Sequence, residues 1–214
     1  MSFRSTFLVV FPETVGRKEL NETGKIILPS TIIAKLRNET LMQFLLKNPL
    51  TQKTIGAGVE EFSSEEPSCV VPRWMCENLG LTENDKIVVQ FQKFPKIKEL
   101  IFQPSDNESA NILNEKQIIM EYTLRSYPVL TQGSILVINF ANKMFFLKVL
   151  FTKPERIVNT LSSNPTVTFS RPLMEFSHNW GEEEDEEEIR KSKQKDPFSG
   201  VAKSIRQTSK HDHH

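Results

Sequence analysis

Residues 25–40 read "KIILPSTIIAKLRNET" and residues 68–83 read "SCVVPRWMCENLGLTE". The two stretches share one plan, and that plan decides the fold. Each opens on three strand-like residues closed by proline: Ile26, Ile27 and Leu28 before Pro29, then Cys69, Val70 and Val71 before Pro72. Each proline precedes apolar residues at helical spacing, Ile32, Ile33 and Leu36 in one copy and Met75, Cys76 and Leu79 in the other. Proline suits the first helical turn, where its missing N–H has no partner to lose, and it pushes the preceding residue towards extended geometry. Each copy therefore reads as a strand turning straight into a short helix. Gly80 supplies a stop for the second helix.

Strands are expected to follow both units. "LMQFLLKN" and "TIGAGVEEFSS" come after the first, with Gly56 and Gly58 flanking a turn or bulge. After the second, "DKIVVQFQKF" sets Ile87, Val89 and Phe91 in alternation with Val88, Gln90 and Gln92. Two strand–Pro–helix units among strands predict a small pseudo-symmetric β-barrel with helices plugging its ends. The run "KIKELIFQPSDNES" closes this first unit, which spans 1–107.

The second unit, 108–178, opens on "NEKQIIMEYTLRSY". Asn114 is a candidate N-cap for a helical stripe through Ile118, Ile119, Tyr122 and Leu124 to Tyr127. "SILVINFANKMFFLKVLF" predicts a hairpin joined through Asn142 and Lys143, and "RIVNTLSSNPTVTF" offers two more strands. The fold class is mainly β with an α+β second part. Seven acids then run unbroken from Glu182 to Glu188. A segment so charged cannot bury enough apolar surface to offset its ordering entropy, so 179–214 is expected to be a disordered tail.

Composition narrows the function. Lys and Arg number 27 and Asp and Glu 27, so the 214-residue chain carries no net charge. That argues against a general nucleic-acid binder, which needs excess cations to displace counterions from phosphates. Cys69 and Cys76 lie in apolar surroundings and read as reduced core thiols of a cytosolic protein. The apolar run Phe7–Phe11 is too short for a signal peptide, and no stretch is long enough to span a membrane.

The chemistry-bearing residue types form no catalytic set. "GAG" at 56–58 is too short for a phosphate loop, the two cysteines lack metal-ligand spacing, and the histidines are His178 and the terminal His211, His213 and His214. Glu60, Glu61, Glu65 and Glu66 read as solvated charges in a turn-like stretch, and Trp74 and Phe94 as packing residues. A binding protein without catalytic residues, metal or cofactor is expected, not an enzyme.

"GKIILPSTIIAKL", "GAGVEEF", "CVVPRWMCENLGL", "IFQP", "VLTQGSILVINF", "FLKVLFTKPERIV" and "VTFSRPL" run in order from about Thr23 to Leu173. This ordered set resembles the ubiquitin fusion degradation protein 1 family. The resemblance implies a double-psi β-barrel, a small α+β subdomain and a tail. It also implies an adaptor that binds ubiquitin or polyubiquitin chains and delivers clients to the valosin-containing AAA ATPase for proteasomal degradation, including ER-associated degradation. The implied setting is the cytoplasm, the nucleus and the cytosolic face of the ER, without direct membrane insertion. The family's usual heterodimer partner is the nuclear protein localisation 4 protein, but its binding segment is not found in this sequence. No short motif marks the ubiquitin contacts.

The family's tail carries short ATPase-docking boxes. Here "FSGVAKSIR" supplies Phe198, Ser199, Gly200 and Arg206, with Ala202 standing for a second glycine and Ile205 for leucine. Such a peptide would add as a strand to a sheet edge on the ATPase N-terminal domain, dropping two apolar side chains into pockets. The alternative expectation is a DNA-binding regulator of the swapped-hairpin type, which the Pro-helix units also resemble. Charge opposes it.

Overall fold

The computed structural model describes residues 3–36, 39–107, 109–111, 124–140 and 143–172. Six strands close into a barrel: β1 (Arg4–Val10), β2 (Lys25–Leu28), β3 (Gln43–Lys47), β4 (Thr54–Phe62), β5 (Ser68–Val70) and β6 (Lys86–Phe91). Their order around the wall is β1-β5-β2-β4-β3-β6.

The barrel carries the symmetry announced by the two Pro-helix units. Strand β1 runs parallel to β5, and β2 runs parallel to β4. The pairs β1–β6 and β3–β4 are antiparallel. Exchanging β1 with β4, β2 with β5 and β3 with β6 leaves this set of pairings unchanged. Strands β2 and β5 meet antiparallel through one pair, Ile27 and Val70. These are the central residues of the two repeated triplets, as a pseudo-two-fold axis between the units requires.

The prolines do what the sequence reading assigns them. Pro29 precedes a 3₁₀ helix, Ser30–Leu36, and Pro72 is the N-cap of α1 (Arg73–Leu79). Helix α1 ends at Gly80 (φ +69°), whose left-handed conformation lets the N–H groups of Gly80 and Leu81 close on Glu77 and Cys76 carbonyls. Met75, Cys76 and Leu79 are buried, as is Trp74. In the first unit Ile32 and Leu36 are buried but Ile33 points outward.

The run expected to close the first unit supplies β7 (Glu99–Pro104), which lies in the second sheet. That sheet has the order β12-β7-β10-β9, built with β9 (Ile135–Phe140), β10 (Lys143–Lys153) and β12 (Thr166–Phe169). Strands β9 and β10 form the expected antiparallel hairpin. The last two expected strands do not pair with each other: β11 (Ile157–Asn159) joins β8 (Val129–Thr131), while β12 runs parallel to β7. The helical stripe placed at Ile118, Ile119 and Tyr122, with its cap at Asn114, lies outside the described residues.

Gly56 and Gly58 do not flank a turn. Both sit inside β4, paired with Leu45 and Gln43 of β3, and the bulge of this strand falls at Glu60, between the pairs Ile26–Val59 and Ile27–Glu61. The glycines are a seat for Pro128 and Val129, where β8 begins, and for Ile157 of β11. A Cβ on Gly56 would fall 2.8 Å from Ile157 Cγ2 and closer still to Val129, and one on Gly58 would collide with Pro128. A Cβ on Gly24 would lie 2.9 Å from Tyr127. Main-chain N–H groups fasten the same seam: Gly24 donates to the Ser126 carbonyl at 2.9 Å, and Gly56 to the Thr131 hydroxyl at 2.9 Å. Tyr127 packs its ring 5.6 Å from that of Trp74, and its hydroxyl donates to the Val137 carbonyl. The Trp74 indole donates to Thr23 O at 2.9 Å. Trp74 and Phe94 are thus packing residues, buried as expected.

Candidate partner-binding clefts

Among the clefts of the described surface are two of contrasting character. The first, of about 490 Å³, lies where the chain between β1 and β2 faces the β4–β5 connection. Its floor is Ile27 and Val70, with Val10 alongside; these two floor residues join Leu20 in a small apolar cluster. Val15 stands at its edge, 48% exposed. The rim carries the hydroxyls of Thr14, Ser63 and Ser68, the carboxylates of Glu61 and Glu65, and the guanidinium of Arg17.

A 3₁₀ turn, Pro12–Val15, and a second, Lys18–Glu22, hold this edge in place. Gly16 between them takes φ +72°, the left-handed geometry that turns the chain. The Arg17 guanidinium donates to Glu19 at 2.6 Å and also to Glu61. Glu61 is therefore not a solvated charge in a turn, nor is Glu60, which receives Lys25 Nζ at 2.6 Å. Both stand on β4 with cations from neighbouring segments, because the strand runs further than its acidic composition suggests. The Ser63 hydroxyl and Arg17 hold the Glu61 carboxyl below the usual carboxylate range.

Beneath this edge, Glu13 accepts from Asn21 at 2.8 Å and from Arg73 Nε at 2.9 Å. Burial pushes the Glu13 carboxyl up, but its backbone bond and Arg73 outweigh that and hold it low. Arg73 stacks its guanidinium 4.3 Å from the Phe11 ring centre. Glu83 ties the same region to the start of β6, accepting from Thr14 Oγ1 at 2.6 Å and Phe11 N–H at 3.1 Å, and these bonds lower its carboxyl.

The second cleft, of about 390 Å³, separates the 51–55 connection from the turn after β8. Its lining is polar, with Thr54, Asn78, Thr131, Ser134 and the cations Lys53 and Arg156. Asn78, on α1, bridges it by accepting from Ile135 N–H at 3.3 Å.

Neither cleft holds a catalytic constellation. Among the described residues no group of three or more His, Cys, Asp or Glu could hold a metal ion. Cys69 and Cys76 are free thiols and buried, as the sequence reading expects. Burial pushes the Cys76 thiol up to about 12 and Cys69 well above its ordinary value, so neither offers a thiolate nucleophile. Among the described residues no helix is long and apolar enough to cross a membrane. The docking stretch Phe198, Ser199, Gly200, Ala202, Ile205 and Arg206 lies outside the described residues. The acid-rimmed cleft was not visible in the sequence, because Val15, Ile27 and Glu65 come from three separate segments.

Comparison with known proteins bears on this arrangement directly. The family model described as Ubiquitin fusion degradation protein UFD1, N-terminal subdomain 1, matches residues 3–95, and that for N-terminal subdomain 2 matches residues 96–172. The chain belongs to the ubiquitin fusion degradation protein 1 family. The first match covers the six barrel strands, and the second begins before β7, where the second sheet begins. Among its relatives in the family, Ubiquitin recognition factor in ER-associated degradation protein 1 of Homo sapiens is 31% identical over 160 residues, 73% of this chain and 52% of that protein. The Ubiquitin fusion degradation protein 1 homolog of Dictyostelium discoideum is 31% identical over 169 residues, 76% of this chain and 51% of that protein. Ubiquitin fusion degradation protein 1 of Saccharomyces cerevisiae is 28% identical over 156 residues, 72% of this chain and 43% of that protein. The chain spans about half the length of the curated relatives it matches. These relatives and both family models lend no support to the DNA-binding alternative.

Proposed function

We propose that this protein is a non-enzymatic adaptor that reads ubiquitin or polyubiquitin through its folded part and docks a valosin-containing AAA ATPase through Phe198–Ile205. The observation that carries the reading is the ordered match of both subdomain models across 3–172, over a fold whose clefts suit partner surfaces and not reaction chemistry. The human relative's name, a ubiquitin recognition factor in ER-associated degradation, supports ubiquitin as the ligand and degradation as the outcome. In this reading the segment 179–214 is the docking tail, and the setting is cytosolic, including the ER face.

The box would act by strand addition, with Phe198 and Ile205 entering pockets and Gly200 allowing close backbone approach. A free peptide pays ordering entropy when it binds, so one box alone should be weak and reversible. A peptide covering Lys195–Gln207 is expected to bind the isolated N-terminal domain of the ATPase in a calorimetric titration, and Phe198→Ala to abolish binding. Equal binding by both peptides would remove the docking assignment. Co-purification with the nuclear protein localisation 4 protein tests whether the heterodimer usual in the family forms.

A further inference from the structure

Strands β2 and β5 touch through the single pair Ile27 and Val70, the shortest strand pairing in the barrel wall. The cleft of about 490 Å³ sits over that pair, and Val10 and Val15 complete an aliphatic lining with no aromatic ring in it. Val15 is held at the edge by a 3₁₀ turn and left half in water, 48% exposed. An apolar side chain fixed in solvent beside an apolar floor is a place where burial by a partner is favourable.

The charges of the rim say what kind of partner. Arg17 is shared between Glu19 and Glu61, so one cation faces two carboxylates. Glu65 lines the cleft as well, and no ion pair involves it among the described residues. Its neighbour Glu66, outside the lining, accepts from the neutral Thr31 hydroxyl, and no ion pair involves it among the described residues. Among the charged lining residues, Glu61 and Glu65 stand against the single cation Arg17, so the rim carries one negative charge in excess over an aliphatic floor. The complementary surface carries an aliphatic side chain with lysine or arginine beside it, an arrangement that steers association and rejects acidic competitors. The second cleft, with Lys53 and Arg156 and a polar lining, has the opposite character.

We infer that the cleft over Ile27 and Val70 is the docking site for an aliphatic side chain presented on a basic surface of a folded partner, and that ubiquitin is read there. This rests on the ubiquitin-reading proposal and adds to it the surface and its chemistry. Val15 and Glu65 are the residues that bear the contact, one by burial and one by charge.

The test is a titration of the full chain with ubiquitin and with tetraubiquitin, followed by calorimetry and by methyl resonances of Val10, Val15, Ile27 and Val70. Ubiquitin is expected to shift these methyls. Val15→Asp and Glu65→Lys are each expected to weaken binding about tenfold or more, and Val15→Ile to retain it. Leu50, 89% exposed far along the chain, provides the control: Leu50→Asp is expected to bind as wild type does. Both sites are exposed, and an unchanged thermal transition in each variant confirms folding. If the wild type binds but the floor methyls stay silent and both variants bind normally, the inference is overturned while the ubiquitin reading stands. If Glu65→Lys alone binds normally, the basic character of the partner surface is overturned. If the wild type binds neither form of ubiquitin, both fall together.

Discussion

Gly56→Ala tests how the barrel and the second part are joined. The φ of Gly56 is not in the left-handed region, so alanine is tolerated by the backbone itself. On that ground alone the change would stabilise by about 0.4–1 kcal/mol, through a less flexible unfolded chain. Space decides the other way. The added carbon would lie 2.8 Å from Ile157 Cγ2 and nearer to Val129 Cγ1. Strand β4 cannot retreat, because β3 and β2 hold both its edges in a closed wall. The strain must be relieved by moving β8, whose Val129 and Leu130 are buried. Overpacking of this kind costs about 1–3 kcal/mol, and the contact is tight enough to place it near the top of that range. Urea unfolding should show the loss as a lower midpoint with the slope kept. Val129→Ala removes the nearest obstacle, so the double variant should be less destabilised than the sum of the singles by about 1 kcal/mol or more. A Gly56→Ala protein as stable as the wild type, or strict additivity in the cycle, would refute the seat described here.

Tyr127→Phe deletes the hydroxyl that serves the buried Val137 carbonyl, and is expected to lower stability by about 1–3 kcal/mol in the same assay. Glu13, Glu61 and Glu83 have carboxyls lowered from an ordinary 4.5. A lowered folded pKa contributes stability that is present above the unfolded value and is lost as pH falls through the folded one. The thermal midpoint should therefore fall as pH drops from 5 towards 3, in the sense set by that 4.5; a midpoint that rises over this window would contradict the assigned bonds. Cys69 and Cys76 should resist a disulfide exchange reagent at pH 8 in the native protein and react fully in denaturant, and rapid native labelling of either would contradict their burial.

Local pattern carried the barrel and the hairpin. The prolines at 29 and 72 mark strand-to-helix junctions through steric rules that act within a few residues, so both junctions could be read directly. Long-range pairing could not. The sequence "IFQP" gives no sign that β7 leaves the barrel for the second sheet, since that choice depends on β10 and β12, which follow it by 40 residues and more. Gly56 and Gly58 look like turn residues locally, and only the approach of Val129 and Pro128 shows that they provide space. Ion pairs such as Lys25 with Glu60 join residues brought together by the β2–β4 register, so the acidic stretch reads as solvated until the strands are placed. The same holds for the acid-rimmed cleft, whose floor is a contact between two repeats.

The measurement that bears most directly on the adaptor reading is a paired capture. Full-length protein and a version ending at Trp180 are each incubated with ubiquitin chains and with the valosin-containing AAA ATPase. Ubiquitin chains should be retained by both, and the ATPase by the full-length protein alone. Retention of the ATPase by the truncated protein, or failure of both to retain ubiquitin chains, would contradict the division of labour between the folded part and the tail.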